Sequence, residues 1–214
     1  MPEAFFKPTA ISNQNSRRSN FALLDRAFGR RSFEKPNTIR SGLAIAAAVV
    51  LKNRMSAVQM RDDMRVTEEV LTEISRHAQD GFPDECCGVI VSDNRSDYAH
   101  RLTNMQNRLH ALDPQTYPRT AEIAYAIDPL ELESVIRLAQ SKGHKLKAFY
   151  HSHPNHDAYF SDEDKAFACP FGEPTYPDTA QIVISIYNRG VKIIRAFAWS
   201  AEESDFVEVP IDRL

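Results

Sequence analysis

A pair of histidines one residue apart, His151 and His153, followed at a fixed interval by Ser161 and Asp164, constrains this chain more than any other feature. The residues just ahead of the pair, Ala148, Phe149 and Tyr150, form an apolar, aromatic run with strand character. Side chains two apart on a strand point to the same face, so the two imidazoles can converge on one point. A serine that opens a helix brings the residue three positions on beside the cap, which aims the Asp164 carboxylate at the same point. Two histidines and an aspartate leave one position of a tetrahedral ion open. That is the donor set of a catalytic zinc site, whose open place holds a water with a pKa lowered toward about 7.

The rest of the chain must build a fold around that point. At 214 residues, 43% apolar and 26% charged, it has the composition of a soluble globular protein, long enough for one well-buried domain and a tail. Residues 1–64 carry 11 Lys and Arg against 5 Asp and Glu, while the remainder carries 15 against 24. The basic part is the tail and the acidic part the domain, so no nucleic-acid partner is expected for the folded part. The expected division is a basic, poorly ordered segment over 1–63 and the domain over 64–214. Within the tail, the apolar run 42–51 is about half the ~20 residues that a membrane-spanning helix needs, so no membrane span is expected. Arg30 and Arg31 ahead of that run resemble a twin-arginine export signal, although Glu34 stands where such signals carry an apolar residue. The expected location is cytoplasmic, with a true start at Met55, Met60 or Met64, and export is the alternative. Three cysteines, Cys86, Cys87 and Cys169, cannot pair completely, and neighbours on a strand point to opposite faces, which favours a reducing compartment.

Along the domain, Val66, Val70, Ile74 and His77/Ala78 recur at helical spacing until Gly81, Phe82 and Pro83 end the run, with His77 a partly buried, hydrogen-bonded histidine on the apolar edge. A buried strand ends at Val91, with Glu85 at its entrance, and Asp93 and Asn94 lead to a second strand near Tyr98. Residues 104–120 are polar, carry Pro114 and Pro118, and are expected to be a long loop; His100 and His110 are expected at the surface. Asp128, Pro129 and Glu131 give a cap, a first-turn proline and an acidic third position for a helix ending at Gly143. After the histidine strand and a helix from Ser161 through Ala168 come a proline-rich loop at 170–177, a hairpin turning at residues 188–190, and a short strand over 206–211. The expected fold class is α/β, with helices on a mixed, partly antiparallel sheet.

Each half of the motif has a plain explanation by itself. A His-x-His pair in a strand often binds nothing, and Ser161 with Asp164 is also a helix capping box. Joined at a fixed interval, downstream of a strand-edge glutamate, they are harder to dismiss, and the cap is what aims Asp164. Glu85, His151-Ser152-His153, seven residues, Ser161, two residues and Asp164 together resemble the JAMM (MPN+) metalloprotease pattern, and Glu85 through Ile90 is similar to the glutamate strand of its bacterial members. The resemblance covers about residues 66–214. It implies a curved sheet flanked by helices with a cytidine-deaminase-like layout, and a zinc-dependent isopeptidase or peptidase. In that pattern His151, His153 and Asp164 hold one zinc, Glu85 moves the proton of the attacking water, and Ser161 donates to the oxyanion.

Two other zinc readings fail on the sequence. His151, His153 and His156 nearly spell the metallo-β-lactamase-like motif, but no histidine follows His156, and that fold needs later ones. A zinc deaminase needs Pro-Cys-x-x-Cys, whereas Cys169–Pro170 has the wrong order. The resemblance implies a substrate with an extended C-terminal tail, as in ubiquitin-like or sulfur-carrier proteins; such a tail would suit a groove walled by the loops 104–120 and 170–177, with Tyr150, Tyr159 or Phe160 near it, and His156 and Asp157 are expected either at its rim or simply facing water. The alternatives are a phage-tail-type assembly peptidase, or a zinc-containing scaffold module without hydrolysis, which would need neither Glu85 nor Ser161.

Overall fold

The computed structural model describes residues 64–93 and 95–214. The segment 1–63, with its arginine pair, apolar run and candidate starts Met55 and Met60, lies outside the described residues, as does Asn94. No described helix is long and apolar enough to cross a membrane.

The amphipathic pattern yields α1 (Glu68–Gly81), whose Val70, Leu71, Ile74 and Ala78 are buried. Val66, expected at the start of this helix, lies instead in a short strand β1 (Met64–Val66). The extended backbone of Thr67 caps the helix there (φ −70°, ψ 146°), so helical geometry starts one residue later. Strands β2 (Cys87–Ser92) and β3 (Asp97–Leu102) follow as expected. The polar stretch 104–120 is not all loop: it contains α2 (Gln106–Leu112). The only buried side chain of α2 is polar Gln106, so it has no apolar periodicity to announce it. Helix α3 (Pro129–Ser141) starts at its expected cap, where the Asp128 side chain accepts from Leu130 N and Glu131 N.

Next come β4 (Lys145–Pro154), α4 (Asp162–Ala168), β5 (Ala180–Tyr187) and β6 (Gly190–Ser200). The last expected strand is two, β7 (Asp205–Val209) and β8 (Ile211–Arg213), broken at Pro210, which has no N–H for a ladder. Six strands form one sheet in the order β3-β2-β4-β5-β6-β7, with β4 and β5 parallel and every other neighbouring pair antiparallel, while β8 pairs with β1. This is the expected mixed sheet flanked by helices.

Alternation along the strands sorts the core into two faces. Toward α1 lie Ile90, Ala148, Tyr150, Ile182, Ile184 and Ile186, packed on Ile74 and Ala78. Each fully buried isoleucine contributes about 2 kcal/mol of transfer free energy. Tyr150 crosses the neighbouring strand to reach α1, and Gly88 makes room for it. A Cβ at Gly88 would lie 2.4 Å from the Tyr150 ring and from His100 O. The Tyr150 hydroxyl thereby meets His77 Nδ1 at 2.9 Å, which fulfils the expectation of a partly buried, bonded histidine. Asp97 ties helix to sheet, its carboxylate accepting from Thr67 N (3.1 Å) and from Lys147 Nζ (2.7 Å).

The opposite face holds two separate clusters. One joins Cys87, Val89, Leu102 and Phe149 to Leu132 and Val135 of α3; the other joins Ala158, Phe160, Val183, Phe197 and Phe206. Cys86 packs on the α1 side and Cys87 on the other, both as free thiols, and burial pushes the Cys86 thiol up to about 12. His100 and His110, expected at the surface, are half-buried, and His110 Nδ1 meets Tyr117 O at 2.7 Å.

Candidate metal centre

The gap between those two clusters is where β4 presents His151 and His153. Both side chains are buried, as is Asp164. Their Nε2 atoms are 3.0 Å apart, His151 Nε2 lies 3.5 Å from Asp164 Oδ1, and His153 Nε2 lies 3.8 Å from Asp164 Oδ2. Donors bound at 2.0–2.1 Å to one tetrahedral ion are about 3.3 Å apart, so these separations fit a shared ion. Among the described residues this is the one cluster of three or more His, Cys, Asp or Glu with such spacing.

The start of α4 places the aspartate as the capping pattern requires. Ser161 Oγ accepts from Asp164 N (3.1 Å), and Asp164 Oδ2 accepts from Ser161 N (2.8 Å) and Ser161 Oγ (2.6 Å). Oδ1 is left out of these bonds, 3.5 Å from His151 Nε2. Burial pushes the Asp164 carboxyl up, but His151 and the Ser161 bonds outweigh it and hold it at about 2. Burial, with His151 adding, lowers His153 to about 4, so near neutral pH its ring is uncharged, the form that binds a metal. His153 Nδ1 donates to Asp157 O at 3.0 Å, which leaves the Nε2 lone pair free. Tyr125 stacks on His151 at 4.4 Å, and Tyr159 meets His153 edge-on at 4.9 Å.

Glu85 is held beside this strand through its neighbour. Cys86 N donates to Ser152 Oγ (2.9 Å) and Ser152 N donates to Cys86 O (3.0 Å), so the serine between the histidines fastens the glutamate segment to β4. The Glu85 backbone is also fixed, its N–H donating to Ala121 O (2.7 Å) and its carbonyl accepting from Asn104 Nδ2 (2.8 Å). Burial pushes the Glu85 carboxyl up to about 7, with Asp164 adding and His151 and Arg119 opposing. A carboxyl that titrates near neutrality can both take and return a proton.

Glu85, His153, Ser161 and Asp164 line one open cavity of about 710 Å³. Of the two expected walls, 104–120 contributes Gln106 and residues 116–119, whereas nothing from 170–177 lines it. Tyr176 packs on Phe149 at 5.2 Å instead, over α3. The second wall is formed by Ile123, Ala124 and Tyr125 and by Ala166 and Phe167 of α4. The sequence signal for the first three is the apolar spacing of residues 121–127, ahead of the α3 cap. Tyr159 lines the cavity, but Tyr150 belongs to the other face, and Phe160 is buried between Phe197 and Phe206. His156 is an exposed lining residue outside the donor cluster, and exposed Asp157 pairs with Lys192 at 3.0 Å.

The fold is a mixed α/β domain, and at the centre of its sheet a buried two-histidine, one-aspartate cluster with spacing that could hold a metal ion opens to a cavity beside a glutamate. Residues 67–199, more than half of the chain, match the family of prokaryotic homologs of the JAB domain, and the chain belongs to that family. The desampylase of Haloferax volcanii is 27% identical over 146 residues, an alignment that takes in 65% of this chain and 89% of the relative. Among solved structures, protein DSY2949 from Desulfitobacterium hafniense is 20% identical with a TM-score of 0.52, covering 70% of this chain and 92% of its own, and it shares the fold. A protein from Salinibacter ruber is 25% identical with a TM-score of 0.48, covering 71% and 92%.

Proposed function

We propose that this chain is a zinc-dependent isopeptidase or peptidase that hydrolyses a bond at the C-terminal tail of a ubiquitin-like or sulfur-carrier protein. The observation that carries the reading is one cavity lined by His153 and Asp164 of the donor cluster that His151 completes, and by Glu85, whose carboxyl burial pushes up to about 7. A zinc ion held there supplies a Lewis acid that polarises the scissile carbonyl and acidifies water. Glu85 takes the proton of the attacking water as oxygen bonds to the carbonyl carbon, then hands that proton to the leaving nitrogen as the C–N bond breaks. Ser161 donates a hydrogen bond through its hydroxyl proton to the developing oxyanion. In the resting structure that proton points at Asp164 Oδ2, but Ser161 N–H holds the same oxygen, so the hydroxyl can turn without releasing the carboxylate.

The likeness to a desampylase supports the isopeptidase side of this reading. The exposed rim of Tyr117, Ile123, Tyr159 and Phe167 suits an extended chain, which can lay apolar side chains against it while its carbonyls approach the donor cluster. The test uses the purified full chain with one equivalent of zinc and two substrates, a ubiquitin-like sulfur carrier extended at its C-terminus and the same carrier joined to a lysine side chain. Zinc-dependent cleavage by wild type, abolished in Glu85→Ala with zinc still bound, is the expected result. Bound zinc with no cleavage of either substrate or of a peptide library overturns it.

A further inference from the structure

Strand β5 carries the run Ile182, Val183, Ile184, Ser185, Ile186, in which a single serine interrupts four β-branched apolar residues. The three isoleucines face α1, and Val183 and Ser185 share the other face with the donor cluster. Ser185 is fully buried and lies in register with His153. A buried hydroxyl costs stability unless it is bonded. Its Oγ donates to His156 O at 2.6 Å. Beside it, Ile186 O accepts from Asn155 N at 2.7 Å, where Asn155 turns the chain with φ 59°. Strand β5 therefore grips the loop 155–157 at two successive points, and the next carbonyl along, Asp157 O, is the one that accepts from His153 Nδ1.

A neutral imidazole carries its proton on either nitrogen, and the bond made by one nitrogen decides the state of the other. If Asp157 O moved away, the proton could settle on Nε2, the atom that faces His151 and Asp164. We propose that Ser185 is a positioning residue for His153: by fixing the 155–157 loop it keeps the proton on Nδ1 and the lone pair on Nε2. The inference rests on reading the cluster as a metal centre. The loop's other side-chain tether, Lys192 to Asp157, joins groups that are 58% and 73% exposed, and solvent screening makes it too weak to do the same.

The test measures two quantities on the full chain: zinc affinity by competition with a chromophoric chelator, and the His153 tautomer in metal-free protein by ¹⁵N NMR. Metal-free wild type should carry the proton on Nδ1. Ser185→Ala should weaken zinc binding about 10- to 100-fold, the range for losing support behind a ligand, and raise the Nε2–H fraction. Lys192→Ala should stay within about 2-fold. A lower melting temperature in Ser185→Ala with affinity and tautomer unchanged makes the serine a packing residue only and overturns the proposal. So does an Nε2–H His153 in wild type, a result that needs no variant to fold. Failure of wild type to bind zinc instead overturns the metal-centre reading, and the tautomer measurement still judges Ser185.

Discussion

The two faces of β4 share one backbone and follow opposite rules. On the α1 side, Ala148 and Tyr150 belong to an apolar layer continuous with three isoleucines of β5 and the helix above. On the other side, His151 and His153 stand where the apolar layer is split in two, beside an aspartate whose carboxyl is held at about 2 and a glutamate that burial pushes up to about 7. Burying such groups lowers stability unless each is paired; His153 is held by its bond to Asp157 O and Asp164 by its bonds to Ser161. Fold stability is thus concentrated on one face and the candidate chemistry on the other. Substitutions on the two faces should therefore fail in different assays.

The largest effect is expected on the chemical face. Glu85→Gln should lower cleavage by about 10²- to 10⁴-fold, with zinc stoichiometry retained and the melting temperature held or raised, checked by initial rates, metal analysis and calorimetry. Ser161 blurs the division, because its hydroxyl both caps α4 and faces the cavity. Ser161→Ala should cost about 1 kcal/mol of stability by urea titration together with about 10²-fold in rate. A loss of stability with no loss of rate would confine Ser161 to the cap. On the packing face, Ile182→Ala should cost about 2–5 kcal/mol of unfolding free energy while zinc affinity in the folded protein stays within a few-fold. A large loss of affinity there would show that the two faces are coupled.

The smallest effect is a pH dependence that belongs to the packing face. Burial, with Arg101 adding, lowers His77 to about 4 from an ordinary value near 6.5. The unfolded chain therefore binds this proton more readily than the folded one. The contribution is fully present above about pH 6.5 and is lost as the pH falls toward 4. Its slope should be less than the about 1.4 kcal/mol per pH unit of one full proton, because the ring is only half-buried. Glu85 and His153 titrate across overlapping ranges, so the measurement is the difference between wild type and His77→Gln in urea midpoints from pH 4 to 7. An unchanged slope in the variant contradicts the assignment.

Much of the donor cluster was legible in the sequence because strand alternation and a capping box are local geometry, which packing does not alter. The α3 cap, the His77 environment and the opposed cysteines were legible for the same reason. Helix α2 was not, since its buried residue is Gln106 and its start is fixed from Asn104, whose Oδ1 accepts from Gln106 N at 2.9 Å and Ala126 N at 3.1 Å. The cavity wall was misplaced because a proline-rich stretch such as 170–177 announces a loop without saying on which side of the sheet it lies. Ser185 was visible as the odd residue in an apolar strand, but its partner is a carbonyl 29 positions away in a loop that sequence alone cannot fold.

Whether His151, His153 and Asp164 hold a zinc ion is read most directly by X-ray absorption at the zinc edge on the full chain loaded with one equivalent of metal. The expected spectrum is that of a four-coordinate ion with nitrogen and oxygen neighbours at about 2.0–2.1 Å, two of them imidazoles, with the imidazole signal reduced in His151→Ala. A sulfur shell at about 2.3 Å would place the metal on a cysteine, and a spectrum of hydrated zinc free in solution would mean that His151, His153 and Asp164 hold none. Either result would contradict the metal-centre reading.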